Sequence, residues 1–281
     1  MARAKSSAVG KAVKTLRRFT KRFGPAGVSL WARYLPLELG MGQGLAALYL
    51  PNVKFPIYLR KGTTDKDVFF QIFLIREYDF EGVEQYARLK SVYRDAVAKG
   101  ETPLILDCGA NIGLASIWLA LRFPQARIYA IEPDEGNFSV LCANTKDYPN
   151  IVPLQAAIWD RITEKLAIAN KDGVSCGYQV EALAADAGSG LPVHTVPEIM
   201  RMAGAANILL AKIDIEGGEQ ALFRSNTDWL DATHALAIEL HDWMLPGKAS
   251  SRNFFMALAR HPFEVVWHSG IMLCAKMPVR P

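Results

Sequence analysis

A chain of 281 residues, 51% of them hydrophobic, is long enough for one large α/β domain with an extension. Its net charge of +4 is too mild to argue for a nucleic-acid partner. Four cysteines, at positions 108, 142, 176 and 274, show no C-x-x-C spacing, and Cys108 and Cys142 fall where burial is expected, which fits a reduced, cytoplasmic protein.

Residues 1–37 carry nine Lys or Arg and no acid. A basic helix is expected over about residues 9–22, with Val9, Val13, Leu16 and Phe23 on one face. Such a helix either lies on an anionic membrane surface, touches a partner, or is simply a solvated terminus. The apolar core of a secretory signal is missing. The longest uncharged stretch, residues 39–53, is broken by Gly40, Gly42, Gly44 and Pro51 and is too short to span a bilayer. The chain thus divides into a basic extension (1–54), a strand-and-helix flank (55–100) and a core (101–281).

In the flank, residues 55–60 read as a strand and Lys61-Gly62 as a turn. Thr63-Thr64-Asp65 supply N-cap candidates for a helix running through Val68, Phe69, Ile72 and Ile75. A second helix is expected over residues 83–98, stopped by Gly100.

The core opens on Leu104-Ile-Leu-Asp107-Cys-Gly109-Ala-Asn111-Ile-Gly113. Its apolar run fits a buried parallel strand, and the helix formers of residues 114–122 follow. Glycines let the loop between them bend and approach a ligand closely. The helix start presents free N–H groups suited to an anionic group. The next strand, residues 127–131, ends in Glu132, 19 residues past Gly113. That is close to the spacing of about 20 at which an acid meets ribose hydroxyls in nucleoside-binding α/β folds.

A crossover helix (137–144) and a third strand (151–159) come next. Residues 165–168 and 178–180 can form a hairpin on the Asp172-Gly173 turn. Thr195-Val-Pro-Glu198 is a capping box opening a helix that stops at Gly204. The fourth strand, residues 208–213, delivers Asp214-Ile-Glu216-Gly-Gly218 to its carboxyl end, where open α/β sheets bind ligands. Asp214 and Glu216 on one side can take a cofactor's amino group, deprotonate a hydroxyl or hold a divalent cation; both can also simply cap the helix that follows. The fifth strand, residues 233–238, ends in Glu239-Leu-His241, and His241 suits a general base or a structural role. A helix through 254–260 and a hairpin of strands 263–267 and 271–275 close the chain.

Asp107-Cys-Gly-Ala-Asn-Ile-Gly113, Ile131-Glu-Pro133 and Lys212-Ile-Asp-Ile-Glu-Gly217 together resemble the FkbM-type S-adenosylmethionine-dependent methyltransferases, over about residues 55–242. The resemblance implies a class I methyltransferase fold: a Rossmann-like, seven-stranded, mostly parallel α/β sheet with a C-terminal antiparallel hairpin. It implies that Gly109, Ala110, Asn111 and Gly113 cradle the methionyl end of S-adenosylmethionine. Asp107 and Asp214 would stand near its ammonium, Glu132 and Pro133 at the ribose, and residues 157–159, with Ala157 and Trp159, at the adenine. No acid occupies that strand end before Asp160, so backbone carbonyls would read the adenine amino group. Trp159 is equally a candidate core residue.

The flank would form a lid with Tyr78 near the cofactor, or merely cover the sheet. Asp214, Glu216 or His241 would remove the proton of a hydroxyl acceptor on a sugar, glycan or natural product; no metal is assigned. Such a protein would be cytoplasmic, or peripheral to a membrane through its basic terminus. Two rivals stand beside this reading. A nicotinamide-dependent oxidoreductase would normally show G-x-G-x-x-G, which is absent. A non-catalytic cofactor-binding module or assembly subunit differs by binding tightly without turnover.

Overall fold

The computed structural model describes residues 8–162, 166–168, 180–182 and 190–277. The chain divides into two compact units, residues 1–76 and 77–281.

In the first unit, α1 (Ala8–Phe23) folds back on α2 (Ala26–Glu38) through Gly24, at φ +58°, and Pro25. The two helices cross closely at Gly27, where a Cβ would stand 2.3 Å from the Phe19 carbonyl oxygen. Phe19 packs against Tyr34 with tilted rings at 5.0 Å between centroids, and Tyr34 against Phe69 at 5.7 Å. The expected apolar face of α1 is therefore shifted. Val13 is exposed, Thr15 and Phe19 are buried, and Val9 has a side chain outside the described residues. The reason is α2, which the sequence pattern did not disclose because Gly27 and Pro36 break its periodicity. Lys11, Lys14, Arg17, Arg18 and Lys21 keep the outer face of α1 in solvent.

Strands β1 (Leu45–Leu48) and β2 (Ile57–Arg60) pair antiparallel. The expected long helix after β2 becomes α3 (Asp65–Phe69) followed by a π-helical turn, Phe70–Ile75. Arg76 ends that turn in the left-handed region at φ 62°. Asp65 does not cap the helix. Its buried carboxylate accepts from the Arg60 backbone N–H and guanidinium at 2.8–3.0 Å.

The second unit opens with α4 (Glu84–Ala98) and then alternates strand and helix. In order come β3 (Leu104–Cys108), α5 (Leu114–Arg122), β4 (Arg127–Ile131), α6 (Glu135–Thr145) and β5 (Ile151–Leu154). Short strands β6 (Ala157–Ile158), β7 (Leu166–Ile168), β8 (Val180–Ala182) and β9 (Val193–His194) lead to α7 (Val196–Ala203). Then follow β10 (Ile208–Ile213), α8 (Glu219–Leu222), β11 (Ala235–Ile238), α9 (Arg252–Leu258), β12 (Phe263–His268) and β13 (Ile271–Lys276).

Seven strands make one sheet in the order β12-β13-β11-β10-β3-β4-β5. The pairs among β11, β10, β3, β4 and β5 are parallel, while β13 runs antiparallel to both β11 and β12. This is the expected α/β architecture with its closing hairpin. β3 and β10 are buried at every position, as central strands covered by helices on both faces must be. Pro153 is tolerated in β5 because that strand is a sheet edge.

The expected third strand over 151–159 is corrected to two pieces. β5 stays in the sheet, whereas β6 leaves it to pair in parallel with β9. The expected hairpin exists as β7 paired antiparallel with β8, though its Asp172-Gly173 turn lies outside the described residues, as does Cys176. Cys142 is only half-buried, against expectation; the Cys108 thiol is buried and pushed up to about 12 by that burial. No helix among the described residues is long and apolar enough to cross a membrane.

Candidate active site

The chain builds outward from β3 through β4 to β5, then returns to place β10 on the other side of β3. A crevice opens at the carboxyl ends of the strands where the order reverses this way. Here the two tips nearly touch. The Asp214 N–H donates to the Cys108 carbonyl at 3.0 Å, and a Cβ on Gly109 would lie 1.8 Å from the Asp214 carbonyl oxygen. Only glycine, at φ +78°, fits there.

The loop after β3 is held from within. Gly109 and Ala110 donate their N–H groups to the Ile131 carbonyl, at 3.0 and 2.9 Å. Asn111, at φ 51°, donates to Glu132 Oε2 at 2.8 Å, and the Gly113 N–H goes to the Ala110 carbonyl. These loop amides are thus engaged within the protein, and the free N–H groups expected for an anion belong to the helix start rather than to the loop. The loop can cradle a ligand by its small surface, and donors for an anion must come from the helix residues beyond Gly113. Gly113 is itself closed in, a Cβ there reaching 2.6 Å from Leu141 Cδ1.

Glu132 turns toward this loop and is 5% exposed. Burial pushes its carboxyl up to about 7, against the backbone donors of Asp134 and Asn111. Pro133 is half-buried beside it.

Asp107 is fully buried, and Ser116 Oγ donates to its Oδ2 at 2.5 Å. Its Oδ1 lies 3.1 Å from Lys212 Nζ, which stands 3.7 Å from Asp214 Oδ2 and donates to the Gly109 carbonyl at 2.5 Å. Burial disfavours the charge on Lys212, yet Asp107 and Asp214 raise its pKa well above the usual lysine value. Lys212 thus locks the tips of β3 and β10 together. Its signal was a single cation in the otherwise apolar run 208–213, two residues before an acid.

A second cluster lies at the tip of β11. His241, 2% exposed, is hydrogen-bonded through Nδ1 to Glu219 Oε1 at 2.9 Å, a carboxylate at the start of α8 that sequence reasoning passed over. His241 Nε2 faces Glu216 Oε2 at 3.4 Å, Asp214 Oδ1 at 3.5 Å and Glu239 Oε1 at 3.9 Å. Burial opposes protonation of His241, but Glu219 and the neighbouring carboxylates raise it to about 9. Glu216 is raised to about 8 by burial and by Asp214, and Glu239 is raised for the same reasons. Glu77 is pushed up to about 7 by burial and then by Glu239 and Asp214. Carboxylates raised together in this way mark a surplus of negative charge, an environment suited to a cation.

Asp107, Gly109, Ala110, Asn111, Gly113, Glu132, Asp214, Glu216 and His241 therefore gather along adjacent strand tips. Tyr78 is buried close to them; burial, then the charges of Asp214 and Asp107, raise its hydroxyl pKa. Its carbonyl accepts from Trp118 Nε1 at 3.1 Å. Ala157 and Trp159 are buried in a satellite cluster with Leu166. Trp159 donates its N–H to the His194 carbonyl. The next acid, Asp160, is engaged by Arg224, Arg161 and Ser225, whose hydrogen bonds lower its pKa despite burial. Trp243 stands 73% exposed, its ring 6.4 Å from that of His241.

The family model described as the methyltransferase FkbM domain matches residues 107–261. Over 42 residues the chain is 48% identical to methyltransferase sdnD of Sordaria araneosa, covering 15% of this chain and 16% of that protein. Over 54 residues it is 44% identical to the AMB antimetabolite synthetase AmbE of Pseudomonas aeruginosa, covering 19% of this chain and 2% of that one. The chain thus matches only a small part of the length of these curated relatives. Among solved structures, the FkbM methyltransferase of Methylobacillus flagellatus KT aligns with a TM-score of 0.40 at 16% identity, covering 62% of this chain and 43% of that one. The O-methyltransferase TomG of Streptomyces achromogenes, in complex with SAM, aligns with a TM-score of 0.39 at 13% identity, covering 68% and 80%.

Proposed function

The chain belongs to the FkbM methyltransferase domain family, and from that premise we propose that it binds S-adenosylmethionine and methylates a hydroxyl oxygen of a small molecule or glycan. The observation that carries the cofactor reading is the surplus of carboxylates around the glycine-sealed crevice between β3 and β10. A ligand bearing a sulfonium and an ammonium suits it. Bound there, S-adenosylmethionine supplies an already reactive methyl group.

The residues present fit that ligand. Gly109 lets the tips of β3 and β10 close against each other, which sets the loop beside Asp214. Asp214 Oδ1 is buried with no hydrogen-bond partner among the described residues, ready for an ammonium or a hydroxyl. Asp107 acts behind it, tied to Ser116 and Lys212. Glu132, ionised, accepts from two vicinal ribose hydroxyls. At the far side Asp214, Glu216 or His241 receives the proton of the acceptor hydroxyl, and Trp243 offers the acceptor an apolar face. Most of the acceleration comes from holding acceptor and donor in line.

An acceptor on a natural product is in keeping with the short match to AmbE, named an antimetabolite synthetase. The test is turnover: S-adenosylmethionine is incubated with the full chain and a panel of hydroxylated sugars, glycans and natural products. Acceptor-dependent formation of S-adenosylhomocysteine, with the methyl on oxygen, is expected. Tight cofactor binding with no turnover across a broad panel would favour a binding module instead.

A further inference from the structure

We propose that Asp214, Glu216 and His241 form a binding site for one divalent cation, Mg²⁺ or Mn²⁺. One ligand atom from each of these three side chains lies within 4.8 Å of the others. His241 Nε2 stands 3.5 Å from Asp214 Oδ1 and 3.4 Å from Glu216 Oε2, each beyond the usual hydrogen-bond distance. That spacing suits atoms sharing one ion at about 2.1 Å from each, whose mutual separations are about 3 Å or slightly more. Two carboxylate oxygens and one imidazole are a hard, oxygen-rich set that leaves further positions for water or a hydroxyl.

A second feature points the same way. His241 is almost fully buried, and its Nδ1 is fixed by the buried Glu219 carboxylate, which aims Nε2 into the cluster. A carboxylate behind a histidine is the arrangement that sets the tautomer and raises the basicity of a metal-ligating imidazole. Asp214 Oδ1, on the other wall, is buried without a hydrogen-bond partner among the described residues.

The role of the ion rests on the methyl-transfer reading. Its charge makes an acceptor O–H more acidic, so that the proton leaves to solvent and the three side chains act as ligands in place of the base named above. The cation also fixes the oxygen at the tips of β10 and β11, where the acceptor must approach.

The experiment titrates the full chain with Mn²⁺ alone, followed by calorimetry and by electron paramagnetic resonance of the free ion, with Mg²⁺ as competitor. S-Adenosylhomocysteine is titrated separately. One Mn²⁺ per chain is expected, displaced by Mg²⁺. Glu216→Gln, a half-buried and nearly isosteric change, should weaken Mn²⁺ by more than about tenfold while S-adenosylhomocysteine affinity stays unchanged, and Glu219→Gln should weaken Mn²⁺ by about 10–100-fold through the imidazole. Absence of Mn²⁺ binding, or equal binding to wild type and Glu216→Gln, would overturn the metal site even if S-adenosylhomocysteine binds. Mn²⁺ bound with S-adenosylhomocysteine refused would sustain the metal site and overturn the cofactor reading.

Discussion

Gly109 and Gly100 share nearly the same φ, +78° and +77°, and differ in what surrounds them. A Cβ on Gly100 meets nothing within 4 Å, so Gly100→Ala carries only the left-handed backbone penalty, about 1 kcal/mol. Gly109→Ala must also part the tips of β3 and β10. Thermal unfolding should register a small loss for Gly100→Ala and a large one, or failure to fold, for Gly109→Ala; equal losses would refute the close approach. Glu132 sets a pH dependence. Its carboxyl moves from 4.5 when unfolded to about 7 when buried, so the folded chain holds a proton there that the unfolded chain has lost. Its stability contribution is therefore full below about 4.5 and gone above about 7. On the proposed cofactor reading, affinity should run the other way, weakening as pH falls below about 7, because ribose hydroxyls would donate to the ionised form. Glu132→Gln should flatten the pH dependence of both, as read by denaturant unfolding and calorimetry.

The elements were legible where a single local rule governs them. The central strands 104–108, 127–131 and 208–213 announced themselves as mainly apolar runs with an acid at or just past their ends, because both faces of that sheet are covered. The Thr195/Glu198 capping box is present in full, and Thr195→Ala should cost about 1 kcal/mol in unfolding experiments while leaving cofactor affinity unchanged. What escaped the sequence depended on partners far along the chain. α2 hides behind Gly27 and Pro36, each demanded by a neighbour or tolerated near a helix end. The continuation of 151–154 through 159 looked like one strand, yet Trp159 is drawn away by its satellite cluster with Leu166. At the site, the acids at 132, 214 and 216 were readable from their place after strands. Lys212 and Glu219 were not, since their function is to hold Asp107 and His241 rather than to face a ligand.

At the scale of the molecule, a sheet with β3 and β10 at its reversal point brings every acid at a strand tip to one edge. That convergence, rather than any single residue, makes the crevice electronegative. It also brings sequence motifs separated by about a hundred residues side by side. The acceptor end of the crevice, with Trp243 exposed beside His241, should govern selectivity, so Trp243→Ala should raise the KM for the acceptor with cofactor affinity unchanged; equal losses in both would tie Trp243 to the cofactor instead. The most direct measurement of the central claim is calorimetric titration of S-adenosylmethionine into the full chain and into Glu132→Ala at neutral pH. The account predicts one cofactor bound per wild-type chain and none detectable for the variant. Absence of binding to wild type, or unchanged affinity in Glu132→Ala, would contradict it.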